Sequence, residues 1–280
     1  MPELPEVLTI QRQLANFVIG KKIARVEKLH PKTFEGDIDD IRGAKIKNIR
    51  RRAKILILDL DNGKSLLMHL KMTGQLIYEG ENERAGGGHP VPPLNSPLPN
   101  KSTRIVFHFE DNARIYFNDL RLFAYARIIP TSQVEKEKAI REFGPEPFDQ
   151  NFTPDWLSNA LTKKTTKIKA LLLDQTFISG LGNIYSDEAL YCAKIHPTKP
   201  ANRIDAPGVS ALFGCIQKVL KLGIKAGGAS DNSYVNAKGL PGRYMRMASV
   251  YHQKTCPKGH HVSKLKMNGR TAHFCAIEQK

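Results

Sequence analysis

Residues 6–19 carry Val7, Ile10, Leu14 and Phe17 on one face of a 3.6-residue period, and Gly20 follows where a left-handed cap would end a helix. From there to about residue 130 the apolar positions fall instead in short strand-like runs. Residues 55–60 and 65–70 flank Asp61-Asn62-Gly63, and residues 105–109 and 114–117 flank residues 110–113, which predicts antiparallel strands in a meander or sandwich. Gly86-Gly87-Gly88 with Pro90, Pro92, Pro93, Pro97 and Pro99 predicts a long exposed loop that neither pairs nor coils. After Glu135 the texture changes through Gly144-Pro145-Glu146-Pro147 into helical periodicity up to about residue 226. The expected organisation is therefore a domain over 1–132, a linker over 133–152, a helical domain over 153–226, a Gly-, Asn- and Ser-rich connector over 227–249, and a basic tail over 250–280.

A length of 280 residues fits two domains with a small appendage. With 41% apolar and 25% charged residues the chain can build real cores, which excludes global disorder. The 43 Lys and Arg against 27 acids give +16 and a pI near 9.7, pointing to a polyanionic partner, nucleic acid ahead of an anionic membrane surface. No run of 18 apolar residues occurs, and the start is acidic and proline-rich where a secretion signal would be basic and then apolar. A cytoplasmic location is expected. Four cysteines are too few for a disulfide framework; Cys192 and Cys215, in apolar helical patterns, read as buried free thiols.

Three stretches could carry chemistry or bind phosphate. In Met1-Pro2-Glu3-Leu4-Pro5-Glu6, removal of Met1 would leave Pro2 as a secondary amine. An α-amine titrates at about 8, so part of it is unprotonated at neutral pH. Attack on a sugar C1′ would give a cationic iminium, an electron sink that permits strand cleavage by elimination, with Glu3 adjacent to give or take the proton that opens the deoxyribose ring. Residues 41–54 hold seven Lys or Arg and no acid, a candidate phosphate track, with Lys54 at a strand boundary placed to point into a site. Gly180-Leu181-Gly182-Asn183-Ile184-Tyr185 fails as a dinucleotide fingerprint because Tyr185 replaces the third glycine and no strand precedes it. It fits instead a tight connection between helices whose N–H groups, with Asn183, can face a phosphate.

At the end of the chain, Cys256-x3-His260 and Cys275-x2-Glu278 bracket a predicted hairpin turning at Asn268-Gly269. Two close pairs across a hairpin are a zinc-ribbon pattern, although glutamate is an uncommon fourth ligand; His261 and His273 are alternatives.

Together, Pro2-Glu3-Leu4-Pro5-Glu6, Lys54 after a basic run, the 180–188 segment and the terminal finger resemble the formamidopyrimidine-DNA glycosylase and endonuclease VIII family, over essentially the whole chain and in order. The resemblance implies a multidomain α+β fold: an N-terminal β-sandwich with flanking helices, a helix-two-turn-helix domain and a zinc-finger-like hairpin. It assigns the Schiff-base nucleophile to Pro2, acid/base work to Glu3, and supporting or lesion-proximal roles to Glu6 and Lys54. It further places His69, Lys169, Asn183 and Arg270 on the phosphates around a flipped nucleotide. Met72, Arg121 and Phe123 match a set that fills the void left by base extrusion, whereas pattern alone would put Met72 and Phe123 in a core.

The Met-Arg-Phe set accompanies family members that act on oxidised purines, which favours 8-oxoguanine and formamidopyrimidines in double-stranded DNA, with abasic sites as intermediates. The implied protein is a bifunctional glycosylase and AP lyase of base-excision repair, monomeric and nucleoid-associated, with structural Zn2+ in its finger. The 227–242 stretch, expected to cap the lesion, does not align clearly with a purine-specific loop, so an endonuclease VIII-like enzyme for oxidised pyrimidines is the alternative. A DNA-bending protein without catalysis would need neither Pro2 nor Glu3, and an RNA binder would show no preference for damage.

Overall fold

The computed structural model describes residues 1–230, 234–235 and 240–280. They divide into two compact units, residues 1–141 with 226–243, and residues 142–225 with 244–280.

The first unit opens with helix α1 (Leu4–Val18), whose apolar stripe Val7, Ile10, Leu14 and Val18 is buried. Five strands follow: β1 (Ile23–Lys28), β2 (Phe34–Glu35), β3 (Ile46–Arg52), β4 (Ile55–Leu60) and β5 (Lys64–His69). Five more complete the set: β6 (Gly74–Glu79), β7 (Arg84–Gly88), β8 (Thr103–Phe109), β9 (Arg114–Asp119) and β10 (Tyr125–Pro130), before the single turn of α2 (Lys138–Arg141). They form two five-stranded sheets, ordered β1-β8-β9-β6-β7 and β2-β10-β5-β4-β3. Ile23, Phe107 and Ile115 of one sheet share a core with Leu56, Leu58, Leu66 and Met68 of the other and with the α1 stripe. Burying a side chain of this size contributes about 1.5–3 kcal/mol, so this core is what holds the turns that carry the functional groups.

The loop expected over residues 86–99 is corrected by the structure. Gly86-Gly87-Gly88 lies in strand β7, paired with Ile77, Leu76 and Gln75 of β6. Glycine is required at Gly88, where the backbone at the start of β6 approaches too closely for a side chain. A Cβ on Gly86 would sit 2.2 Å from Leu94 Cδ1, and one on Gly88, at φ +117°, would sit 2.4 Å from the Gly74 carbonyl oxygen. The proline-rich stretch folds back so that Leu94 and Leu98 pack on Ile77, Val106 and Tyr116. Gly88 also exchanges two backbone hydrogen bonds with Val235, both at 2.8 Å. Of the expected capping loop, residues 231–233 and 236–239 lie outside the described residues.

The second unit holds α3 (Pro154–Thr162), α4 (Ile168–Leu173), α5 (Asn183–Cys192) and α6 (Ala206–Lys225), then the hairpin β11 (Ser263–Met267) and β12 (Arg270–Phe274). Thr153 caps α3 by accepting the Trp156 N–H, and Pro154 fills its first turn. Asn268 and Gly269 turn the hairpin with φ of 47° and 72°. The reading of Cys192 and Cys215 as free thiols is overturned: they form a disulfide. The end of α5 packs on the middle of α6 with the two Cα atoms 5.7 Å apart, inside the span a disulfide bridges. Among the described residues no helix is long and apolar enough to cross a membrane.

Candidate active site and nucleic-acid interface

Glu3 caps α1 and Pro2 lies buried immediately before it. Glu6, at the third helical position, turns its carboxylate back so that Oε2 accepts the Glu3 N–H at 2.7 Å, one half of a capping box. Its other oxygen accepts the Ala229 N–H at 2.7 Å, while the Tyr234 hydroxyl donates to the Glu6 carbonyl at 3.4 Å. Burial, reinforced by the charge of Glu6, raises the Tyr234 pKa, so this hydroxyl stays a donor. With Glu6 1% exposed and Glu3 3%, the carboxylate of Glu6 acts as a clamp on the backbone that bears Pro2. Glu6 therefore supports the candidate nucleophile by fixing its place.

Lys54 sits in the two-residue turn between β3 and β4, and Ile55 pairs with His69, which brings Lys54 beside the imidazole. Burial first, then the charges of Lys71 and Lys54, hold the His69 pKa at about 3. The ring is neutral at physiological pH. Its Nδ1 accepts the Lys71 N–H at 3.0 Å, so the neutral ring carries its proton on Nε2, a donor suited to an anionic oxygen. The phosphate track expected over residues 41–54 is thinner than the sequence suggests. Arg50 is held by Asp59 at 2.7 Å and Glu135 at 3.2 Å, and Arg51 donates to the Ala53 carbonyl at 2.7 Å.

Met72, Arg121 and Phe123 come together on two adjacent turns of the first unit. Phe123 is 59% exposed and Met72 36%, which rules out the core reading for both. The Arg121 guanidinium lies 5.7 Å from the centre of the Phe123 ring. Leu120 and Leu122 are also exposed, so this corner presents apolar surface that the sandwich does not use.

In the second unit, Asn183 opens α5 and donates through Nδ2 to the Thr271 carbonyl at 3.0 Å. That bond ties the helix start to the residue after the exposed Arg270. An amide nitrogen carries two hydrogens, so one remains for a phosphate. Lys169, expected at a phosphate, is placed against three acceptors of its own unit. Its side chain is fully buried, and Nζ donates to Asp187 at 2.7 Å, to the Ser186 hydroxyl at 2.8 Å and to the Asn183 carbonyl at 3.0 Å. Its charge is neutralised inside the unit, where it holds the start of α5. Asp187 completes the arrangement by accepting the His273 backbone N–H at 3.0 Å, with the His273 ring 3.2 Å away.

The donor atoms of Cys256, His260 and Cys275 lie within 4.8 Å of one another, a spacing that suits one metal ion. Burial would raise the Cys256 thiol, but the Lys258 N–H, the Tyr191 hydroxyl, the His260 N–H and Cys275 together lower it, which favours the ligating thiolate. Glu278 stands at the edge of this group, 3.4 Å from His260 Nδ1 and paired with Lys258 at 2.7 Å. His273 is committed to Asp187 and His261 is exposed, so neither alternative joins the cluster.

Residues 1–126 match the family profile described as the formamidopyrimidine-DNA glycosylase N-terminal domain, and residues 143–234 that of the formamidopyrimidine-DNA glycosylase H2TH domain. The chain is 38% identical to a formamidopyrimidine-DNA glycosylase of Desulforamulus reducens, covering 100% of this chain and 99% of that one. The chain belongs to the formamidopyrimidine-DNA glycosylase family. Another glycosylase so named, from Pelotomaculum thermopropionicum, is 35% identical with the same coverage. Solved structures of Lactococcus lactis Fpg agree: a complex with abasic-site DNA superposes with a TM-score of 0.88 at 32% identity and 99% coverage of both chains. A mutant of that protein bound to Fapy-dG-containing DNA gives 0.88 at 32% identity, covering all of both chains. The formamidopyrimidine-DNA glycosylase architecture of sandwich, helical domain and terminal hairpin is thus the one expected from the sequence.

Sequence reasoning missed several acids that organise these family elements. Asp119 accepts the Ala124 N–H at 2.8 Å beneath the Met72 and Phe123 turns, and Asp187 pairs with Lys169. Glu188 gathers the N–H groups of Ser249, Val250 and Tyr251 at 2.8–2.9 Å, securing the chain that leads into the finger. A lone acid carries no periodic signal; the only usable hint was that these acids stand in otherwise apolar runs.

Proposed function

We propose that the protein removes oxidised purines, 8-oxoguanine and formamidopyrimidines, from double-stranded DNA and then cleaves the strand at the abasic site through Pro2. The observation that carries the reading is the Glu6 clamp, which fixes Glu3 and the backbone of Pro2 at a buried helix start. With Met1 removed, the Pro2 nitrogen attacks C1′; a bond forms between them as the bond from C1′ to the base breaks, and the base leaves with a proton. Glu3 protonates the ring oxygen as the sugar opens to an iminium. The iminium draws electrons from C2′, and loss of a C2′ proton expels the 3′ phosphate.

Lys54 and the Nε2–H of neutral His69 serve as phosphate donors in the first unit, and Asn183 with Arg270 in the second. Met72, Arg121 and Phe123 fill the space the extruded nucleotide leaves, an apolar wedge, a cation for the orphaned base and a ring to stack. In the finger, the two cysteines and His260 suit Zn2+ through two thiolates and an imidazole, with Glu278 as fourth ligand once it releases Lys258. Bound zinc supplies a structural cross-link. The nucleoid of the cytoplasm is where such a substrate is found.

The test is excision from a duplex carrying one 8-oxoguanine. Glu3→Gln should lose base removal by about 10²–10⁴-fold, since an amide cannot supply the proton, with DNA affinity retained. Excision by Glu3→Gln at the wild-type rate would overturn the assignment.

A further inference from the structure

Asp119 ends β9 and is 1% exposed, two residues before the exposed Arg121. Its Oδ1 accepts a short hydrogen bond from the Thr73 hydroxyl and a second from the Arg121 N–H at 3.3 Å; Oδ2 accepts the Ala124 N–H at 2.8 Å. Thr73 Oγ1 in turn accepts the Arg121 N–H at 3.1 Å. The backbone of Asp119 is anchored as well, its N–H on the Ser102 carbonyl at 2.8 Å and its carbonyl on Arg104 Nε at 2.7 Å. Within the turn so enclosed, Leu122 has a φ of 58°, a left-handed conformation that a leucine holds only when its surroundings impose it.

Thr73 directly follows Met72, and Arg121 and Phe123 lie between the two ends that Asp119 ties. One buried carboxylate therefore fastens together the two turns that carry all three void-filling side chains. We propose that Asp119 is a positioning residue that presents Met72, Arg121 and Phe123 to the duplex as one preassembled unit. The proposal rests on the void-filling reading given above. Its physical basis is timing: a flipped nucleotide restacks unless the hole is filled, and side chains on independently mobile turns would have to be ordered at that moment. Ordering them beforehand removes that entropy from the extrusion step.

The experiment is stopped-flow fluorescence of 2-aminopurine beside an 8-oxoguanine, with the full chain, each of the four bases opposite the lesion in turn, and unfolding temperatures measured in parallel. Asp119→Asn, whose amide nitrogen must face a donor, and Thr73→Val, which keeps shape but loses the hydroxyl, should each slow extrusion about tenfold. Both should also flatten the ratio of extrusion rates across the four opposite bases, because Arg121 is no longer held, and both should leave affinity for undamaged duplex unchanged. Thr73→Ser should restore the rate and the ratio. Lower unfolding temperatures with wild-type rates and ratios would show a purely structural role and overturn the proposal. Should Asp119→Asn fail to fold, Thr73→Val decides. Met72→Ala and Phe123→Ala separate the two levels: unchanged extrusion in both sinks the void-filling reading itself, whereas slow extrusion in them beside normal extrusion in Thr73→Val sinks only the role of Asp119.

Discussion

In the first unit the buried carboxylates of Glu6 and Asp119 accept backbone N–H groups beside the residues proposed to act on DNA; in the second unit Asp187 accepts one backbone N–H, from His273, and pairs with the buried side chain of Lys169. The difference is one of what the acid consumes. A carboxylate on backbone donors shapes a turn. A carboxylate on a buried lysine neutralises that cation and ties two helices together.

The sharpest way to break this contrast is Lys169→Met. It strands Asp187 without its ion-pair partner and should cost about 3–5 kcal/mol in denaturant unfolding, while the salt dependence of DNA binding by the folded fraction stays the same. A stable variant whose salt slope falls would return Lys169 to the phosphate contacts. Arg270→Ala should do the reverse. Unfolding should be unchanged, and affinity for damaged and undamaged duplex should drop together, with the salt slope reduced by roughly one.

The finger sharpens the contrast within the second unit, because there two buried thiols stand with His260 in a group that could hold a metal ion. Zinc measured by elemental analysis should be lost from Cys275→Ala, and Glu278→Cys should hold zinc more tightly than the natural chain. Equal affinity would place Glu278 outside the coordination shell, still bound to Lys258. The smallest effect concerns His69. Its folded pKa of about 3 lies below the ordinary 6.5, so the unfolded chain takes up the proton first. Stability should be full above pH 6.5 and decline as the pH falls towards 3, and His69→Asn should flatten that part of the profile of unfolding temperature against pH.

What the sequence made legible was local. Pro2 and Glu3 stood out because a proline after Met1 can become a secondary amine with an acid beside it, Glu6 came only through the family resemblance, and β4, β5, β8 and β9 were readable because their apolar runs end at turn signals. The misreadings involve partners that local pattern cannot see. Cys192, read as a free thiol, finds Cys215 across a separation of 23, and two partners passed unseen: Asp187, which Lys169 meets 18 residues away on another helix, and Thr73, which Asp119 meets 46 residues earlier. The glycines of β7 misled for a related reason. As breakers they argue against a strand, yet at Gly88 the close approach of the Gly74 carbonyl is what demands one.

If chemistry begins at the secondary amine of Pro2, the borohydride-reduced adduct must carry the sugar on that nitrogen. Wild-type protein reacted with an 8-oxoguanine duplex under borohydride is digested, and the peptide bearing the deoxyribose remnant is sequenced by mass spectrometry. The remnant should sit on the nitrogen of Pro2 in the N-terminal peptide, and a chain with that amine blocked should give no adduct. A remnant on Lys54 or any other lysine, or an undiminished adduct from the blocked chain, would contradict it.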